Sequence, residues 1–215
     1  SKIAEEWWNP TGKFKPLHKF NPIRIKYIKD NLIKEFNLKN KKKPLRGLDI
    51  LDIGCGNGKN MFRKDCSFIG IDSSQSMVDI VKGQNKTAIV ADIRRIPFDD
   101  NYFDATISIA VIHHLDSYIK RKDAVDELIR VTKSGGKIFI QVWEDMANKG
   151  KKFELIGENS TDYLVSWDNR DGKDYKRYYH LFKNGELEEL VDTTRVDIID
   201  NFYECQNWCV VLQKK

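Results

Sequence analysis

Leu51-Asp52-Ile53-Gly54-Cys55-Gly56-Asn57-Gly58 decides how this chain is read. The apolar run from Leu48 to Ile53 reads as a buried strand. It stops in three glycines at alternate positions, and a short helical pattern comes next over 58–64. Glycine suits a sharp strand-to-helix turn and lets backbone approach a ligand closely. The next apolar run, Phe68, Ile69 and Ile71, closes on Asp72. Asp52 and Asp72 are therefore expected at successive strand ends. That is the spacing of a ribose-binding carboxylate in a nucleotide fold.

Outward from this stretch the pattern alternates. Strands are expected near 48–53, 67–71, 87–91, 103–109 and 136–143, and helices near 58–64, 74–82 and 118–132. Ser73-Ser74 can cap the second helix. Such alternation implies an α/β fold with a parallel sheet, right-handed crossovers and a ligand beyond the carboxyl ends of the strands. Asp92-Ile93 ends the third strand and Ile109-Ala110 the fourth, and both are expected to border that crevice. Ser134-Gly135-Gly136 reads as a turn into the fifth strand. Upstream, Asn21 can cap a helix with Pro22 at its first position, running from Ile23 to about Phe36. This helix either packs on the sheet or forms a lid. Lys39 to Pro44 reads as a solvated linker. Downstream of Trp143, residues 144–176 are polar and mixed and read as a long loop or insertion. Order returns at Arg177-Tyr178-Tyr179-His180-Leu181-Phe182. A short helix from Gly185 to Asp192 comes next, then strand-like segments Val196–Ile199 and Trp208–Leu212 that suit a terminal hairpin.

The 215 residues suffice for one well-buried α/β domain, here 46–215, preceded by an N-terminal extension, 1–45. Hydrophobic residues make up 40% and charged residues 32%, ordinary for a soluble globular chain. No apolar run approaches transmembrane length, and no signal-peptide pattern opens the sequence. The four cysteines, Cys55, Cys66, Cys205 and Cys209, form no CxxC pair. They read as reduced thiols, which points to a cytoplasmic setting and away from zinc or disulfides. The net charge of +5 permits an anionic partner such as RNA.

Together these motifs resemble the class I S-adenosylmethionine-dependent methyltransferases, with a seven-stranded, mostly parallel sheet. The resemblance implies S-adenosylmethionine as cofactor. Gly54, Gly56 and Gly58 pass its methionine part, Asp72 holds the ribose hydroxyls, and Asp92-Ile93 contacts adenine. Arg24, Asp52, Ser73, Met77 and Ile109 are expected at the same cofactor site. An NAD-type turn would space its glycines as GxGxxG, which Gly54-x-Gly56-x-Gly58 does not. Residues 46–215 resemble the tRNA wobble-uridine methyltransferases, which esterify a 5-carboxymethyl group. The matching stretches are Leu51–Lys59, Ser108–Leu115, Arg177–Leu190 and Asn207-Trp208. Residues 3–28 instead resemble the ubiquinone-biosynthesis O-methyltransferases, through Trp7-Trp8, Gly12-x-Phe14-Lys15-Pro16-Leu17-His18 and Asn21-Pro22-x-Arg24. There the arginine is implied to hold the cofactor's carboxylate.

The acceptor chemistry separates the two. A carboxylate has a reference pKa of about 4 and is already ionised, so it needs orientation but no base. A catechol, at roughly 10 by analogy with tyrosine, needs a base or a metal. The quinone-pathway enzymes resemble one another in a Glu-x-x-Glu-His run implied to bind magnesium. Here those positions read Ala110-Val111-Ile112-His113-His114, without either carboxylate. Magnesium prefers oxygen ligands, so no metal is expected. The catalytic candidates are His113, His114 and Arg177. Arg121, Tyr178 and His180 are the substrate-binding candidates, Arg121 against the alternative of a surface helix charge. Tyr179 and Phe182 read as core. The expected acceptor is the carboxylate of 5-carboxymethyluridine in tRNA, with a polyprenyl catechol as the alternative. A small zinc-binding activator subunit is a further partner implied by the eukaryotic members.

Overall fold

The computed structural model describes residues 15–36, 42–61, 66–145, 152–158, 160–168 and 174–215. Trp7-Trp8 and Gly12 to Phe14 of the N-terminal motif lie outside the described residues. The chain divides into two compact units, Ser1–Val90 and Ala91–Lys215.

In the first unit, helix α1 spans Lys15–Glu35 and buries Ile28 and Leu32, one turn apart on one face. The expected start at Asn21 is corrected, because Pro22 lies inside the helix. Proline there removes one backbone donor. Asn21 does not cap; its side-chain N–H donates to the Lys59 carbonyl at 3.4 Å, tying α1 to the glycine turn. Of the expected linker, Lys42 and Lys43 are exposed as a solvated segment would be, while Pro44 is buried. Strands β1 (Asp49–Ile53), β2 (Ser67–Asp72) and β3 (Thr87–Val90) pair in parallel. Helix α2 (Gln75–Gly83) packs Val78 and Val81 onto Cys55, Met61 and Ala88. The expected helix over 58–64 is not present in its described part, where residues 56–60 form turns. Gly54, Gly56 and Gly58 stand at φ +60°, +52° and +77°. Left-handed backbone at alternate positions cannot enter a right-handed helix. Ser74 takes the expected N-cap position, but its side chain does not cap. The Ser74 hydroxyl pairs with Ser76, and no side chain caps α2.

The second unit opens with β4 (Phe103–Ile109) and a single 3₁₀ turn, Ile112–His114. Helix α3 (Tyr118–Val131) comes next, capped by Ser117, whose hydroxyl accepts the Lys120 N–H. Strand β5 runs Thr132–Trp143, starting earlier than expected. Ser134-Gly135-Gly136 is part of it. The register shifts there, since Phe103 pairs with Thr132 and Ala105 with Lys137, and Gly135 stands at φ +78° inside the surplus stretch. The segment read as a loop, 144–176, instead contributes β6 (Phe153–Leu155), β7 (Asp162–Asp168) and the start of β8 (Asp174–His180). These form a separate three-stranded antiparallel sheet. Its core is Tyr163, Val165, Tyr179 and Leu181, with Trp143 and Phe153 packed against it. The short helix α4 covers Glu186–Glu189. Strands β9 (Val196–Glu204) and β10 (Asn207–Lys214) form the terminal hairpin. Cys205 and Gln206, at φ +49° and +62°, make its two-residue turn. Strand β10 lies antiparallel on β5.

The main sheet has seven strands. Those in the order β3-β2-β1 belong to the first unit and those in the order β4-β5-β10-β9 to the second. Parallel strands with an antiparallel hairpin at the end are the class I methyltransferase architecture. No helix among the described residues is long and apolar enough to cross a membrane.

Candidate active site

The glycine turn and the residue two past the end of β2 together hold one carboxylate in the first unit. The Gly56 N–H donates to Asp72 Oδ2 at 2.9 Å, and the Ser74 N–H to Asp72 Oδ1 at 2.9 Å. Two backbone donors thus fix the plane of this carboxylate at the end of β2. Each oxygen keeps a lone pair for a further donor such as a ribose hydroxyl. Ser73 beside it is exposed and Met77 half-buried.

Asp52 differs from Asp72 in its surroundings. It is fully buried at the end of β1, and the Asn60 amide donates to its Oδ1 at 3.4 Å. Burial lifts its carboxyl from 3.8 to about 7, against the pull of Asn60 and Lys59. Oδ2 of Asp52 and the Oδ1 atoms of Asn57 and Asn60 are buried and accept no hydrogen bond. All three are acceptors, and a buried acceptor without a donor is costly. The α-ammonium of S-adenosylmethionine is a cationic donor, and it fits this set. Neither asparagine was singled out in the sequence, although Gly56-Asn57-Gly58-Lys59-Asn60 shows two amides inside the glycine turn. Arg24 acts on Lys59, whose ammonium falls to about 8 through burial first and the arginine second. The cation expected at the cofactor carboxylate therefore has a second cation beside it. The Cys55 thiol, buried among Asp52 and Asp72, is pushed up to about 12 and is inert.

In the second unit, Ile93 and Ile109 are buried. Asp92 is exposed, and the Arg94 guanidinium grips both its oxygens, at 3.0 Å and 2.5 Å, which lowers its pKa. Ala110, directly after β4, holds φ +60° while its N–H donates to the Gln141 carbonyl. A non-glycine residue in this region is strained. It turns the chain into His113 and His114.

His113 is fully buried, stacked on Tyr179 at 5.3 Å and beside Trp143 at 5.1 Å. Its Nδ1 accepts the Trp143 N–H at 3.2 Å, and its Nε2 is buried without a partner. His114 is half-buried, with Nδ1 3.2 Å from the Tyr178 carbonyl. Desolvation holds His113 well below the usual histidine range and His114 at about 4, and the Arg177 charge pushes both the same way. Both rings are neutral at pH 7. Arg177 itself is exposed on β8.

Arg121 is not a surface charge. It is buried, donates to the Leu115 carbonyl at 3.0 Å and lies over the Phe182 ring at 6.0 Å. Tyr179 and Phe182 are core. The Tyr178 hydroxyl donates to Asp162 Oδ1 at 2.6 Å, and burial with that carboxylate raises its pKa. His180 is buried between Asp162 and Glu186. Neither acid was assigned a role from sequence. Glu186 stands in the Arg177–Leu190 motif, whereas Asp162 lies in the stretch read as a loop. Among the described residues, no three of His, Cys, Asp and Glu are placed to hold a metal ion.

A methyltransferase domain family matches residues 51–140. The ubiquinone biosynthesis O-methyltransferase of Pelagibacter ubique is 34% identical, over 96% of this chain and 90% of its own length. The tRNA (carboxymethyluridine(34)-5-O)-methyltransferase of Schizosaccharomyces pombe is 32% identical, over 81% of this chain and 84% of its own. The corresponding protein of Xenopus tropicalis is 33% identical, but this chain spans only 36% of its length. A solved protein of Pyrococcus horikoshii superposes over 100% of this chain and 99% of its own, with a TM-score of 0.71 at 17% identity. A solved S-adenosylmethionine-dependent methyltransferase of Clostridium acetobutylicum superposes over 92% of this chain and 98% of its own, with a TM-score of 0.63 at 16% identity. With the fold, the carboxylates that end β1 and β2 and two sets of named relatives in agreement, the chain belongs to the class I S-adenosylmethionine-dependent methyltransferases.

Proposed function

We propose that this methyltransferase esterifies the carboxylate of 5-carboxymethyluridine at the wobble position of tRNA. When bound, S-adenosylmethionine supplies an electrophilic methyl group on sulfur. The residues that would hold it are Asp72 for the ribose, Asp52 with Asn57 and Asn60 for the ammonium, and Arg24 with Lys59 for the carboxylate. The observation that carries the acceptor assignment is the 110–114 turn. Ala110 and the neutral His113 stand where the quinone-pathway run would carry its two glutamates, the neutral His114 stands where that run carries its histidine, and the Arg177 charge acts on both rings. A cation and neutral rings suit an anionic acceptor. Arg177 and His114, the less buried of the two rings, orient a carboxylate that is nucleophilic without losing a proton. The Schizosaccharomyces pombe relative, named for this reaction, supports the reading.

A second reading, O-methylation of a polyprenyl catechol, is favoured by the Pelagibacter relative and by the Trp7–Arg24 motif. It needs a base, and an unprotonated His114 nitrogen is the candidate. The division into an extension, 1–45, and a catalytic domain, 46–215, belongs to both readings, as does a cytoplasmic setting. A small zinc-binding activator belongs to the first alone, and co-expression with one should raise tRNA methylation. Mass spectrometry of tRNA nucleosides from cells lacking the gene tests the choice. Accumulation of unesterified carboxymethyluridine is expected. An unchanged nucleoside profile with a methylated catechol missing would overturn it.

A further inference from the structure

The motif from Arg177 to Leu190 has no counterpart in cofactor binding, yet it builds one connected polar group. Asp162 stands opposite His180 in the β7–β8 register, and Leu164 opposite Tyr178. Residues two apart on a strand share a face, so Tyr178, His180 and Asp162 meet on one side of the small sheet. Asp162 Oδ1 lies 2.6 Å from the Tyr178 hydroxyl and 2.6 Å from His180 Nδ1. On its other edge, His180 Nε2 lies 2.5 Å from Glu186 Oε1. Glu186 is held in turn by the Lys183 N–H on Oε2 at 2.9 Å, and the Arg121 charge acts on both Glu186 and Tyr178. Carboxylate oxygens only accept, so the clamp is satisfied when His180 donates from both ring nitrogens. One imidazole thereby fastens the end of β8 to β7 and to α4.

What β8 then presents is the Tyr178 carbonyl, 3.2 Å from His114 Nδ1. A carbonyl cannot donate, so His114 carries its proton on Nδ1 and a lone pair on Nε2. His113 is set the opposite way. Its Nδ1 accepts the Trp143 N–H, so its proton sits on Nε2. Two adjacent neutral rings in opposite tautomers offer one acceptor and one donor.

We propose that His180, clamped by Asp162 and Glu186, is a positioning residue that fixes the tautomer of His114 through the Tyr178 carbonyl. Its bearing on catalysis rests on the reading of His114, the less buried of the pair, as the ring that faces the acceptor. The clamp explains why the motif joins His180 to Glu186 across a glycine turn, a spacing that burial alone does not require.

The test reads protons rather than product. The chain has four histidines, so nitrogen-15 spectra of the imidazoles are assignable by single replacement. Wild type should show His114 protonated on Nδ1 and His113 on Nε2. In His180→Gln, His114 should move to the Nε2 tautomer or to a mixture. The kcat should fall roughly a hundredfold, as expected for a displaced positioning group, while the KM for the cofactor holds. Glu186→Gln keeps the shape and weakens the clamp, and it should shift His114 in the same direction if His180→Gln does not fold. A wild-type His114 protonated on Nε2 overturns the proposal. So does an unchanged His114 signal in either folded variant. The tautomer is read without acceptor, so an error in the tRNA assignment leaves this result standing, and the converse holds as well.

Discussion

Cofactor affinity should depend on pH through one buried carboxyl, Asp52. Its pKa of about 7 comes first from burial, with Asn60, Lys59 and Lys86 lowering it and Asp72 raising it. A protonated carboxyl cannot pair with an ammonium. In the free protein about a tenth of the Asp52 carboxyls are ionised at pH 6 and about nine tenths at pH 8. Apparent affinity should therefore rise about tenfold across that interval, about 1.4 kcal/mol. Above about 8 the α-amino group of the ligand loses its own proton, and the gain should stop. Calorimetric titration with S-adenosylhomocysteine in two buffers of different ionisation enthalpy reads both the affinity and the proton released near pH 7. In Asp52→Asn the affinity should be weaker and flat from pH 6 to pH 8. A wild-type affinity that is flat, or that strengthens toward acid, would refute the role given to Asp52.

The same carboxyl sets a stability trend of known sign. Its pKa in the folded chain lies above the ordinary 3.8, so the folded state holds the proton more tightly than the unfolded one. The associated stability is fully present below about pH 4 and is lost as pH rises to about 7. The rise from 3.8 to about 7 corresponds to an upper bound of about 4 kcal/mol. Asp52→Asn should therefore unfold at a higher temperature than wild type at pH 8, with the advantage gone at pH 4. Without cofactor, the protein carries a stability cost at a position whose charge the cofactor's ammonium would offset.

Three further outcomes are expected. Ala110→Gly should stabilise the protein by about 1 kcal/mol, because glycine adopts φ +60° without the side-chain clash; an equal or lower melting temperature would show that no strain is stored there. Arg177→Ala should reduce kcat/KM for tRNA far more than it weakens S-adenosylhomocysteine binding, and equal losses in steady-state and calorimetric measurements would remove its substrate role. Binding of tRNA should weaken linearly in log–log plots against salt, since several phosphates must be neutralised, and a salt-independent affinity would favour the lipid-like acceptor instead.

The positions of the candidate cofactor residues in the first unit were legible because their signal is local. The carboxylates Asp52 and Asp72 and the glycines that turn between them are fixed by where strands stop, and strand ends are written in runs of apolar residues. The glycine turn misled about residues 58–61, since a helical apolar pattern cannot override left-handed backbone at Gly56 and Gly58. The acceptor candidates in the second unit were legible as motifs and not as contacts. His113, Arg121 and His180 were noticed, but the first is sealed among aromatic rings and the other two are buried in polar networks. Burial of a charged side chain depends on partners distant in sequence, and no period announces it. Asp162 shows this most plainly. It sits in a stretch too polar to read as strand, because a small antiparallel sheet with one polar face needs few apolar residues.

The tautomers of His113 and His114 extend the point to chemistry. A His-His pair in sequence says nothing about which nitrogen carries a proton. That is settled by one backbone N–H from Trp143 and one carbonyl from Tyr178, lying 30 and 64 residues from their histidines. The second of these is held by an imidazole between two carboxylates, one of them in the stretch that seemed unstructured. Substitutions at Asp162 should therefore act on His114 without touching it. Asp162→Asn leaves a donor and an acceptor at the same place and should perturb the His114 proton less than Asp162→Ala, which leaves Tyr178 and His180 each short of a partner. The opposite ranking in the imidazole nitrogen spectra would mean that bulk packing, and not the hydrogen-bonded clamp, sets the ring.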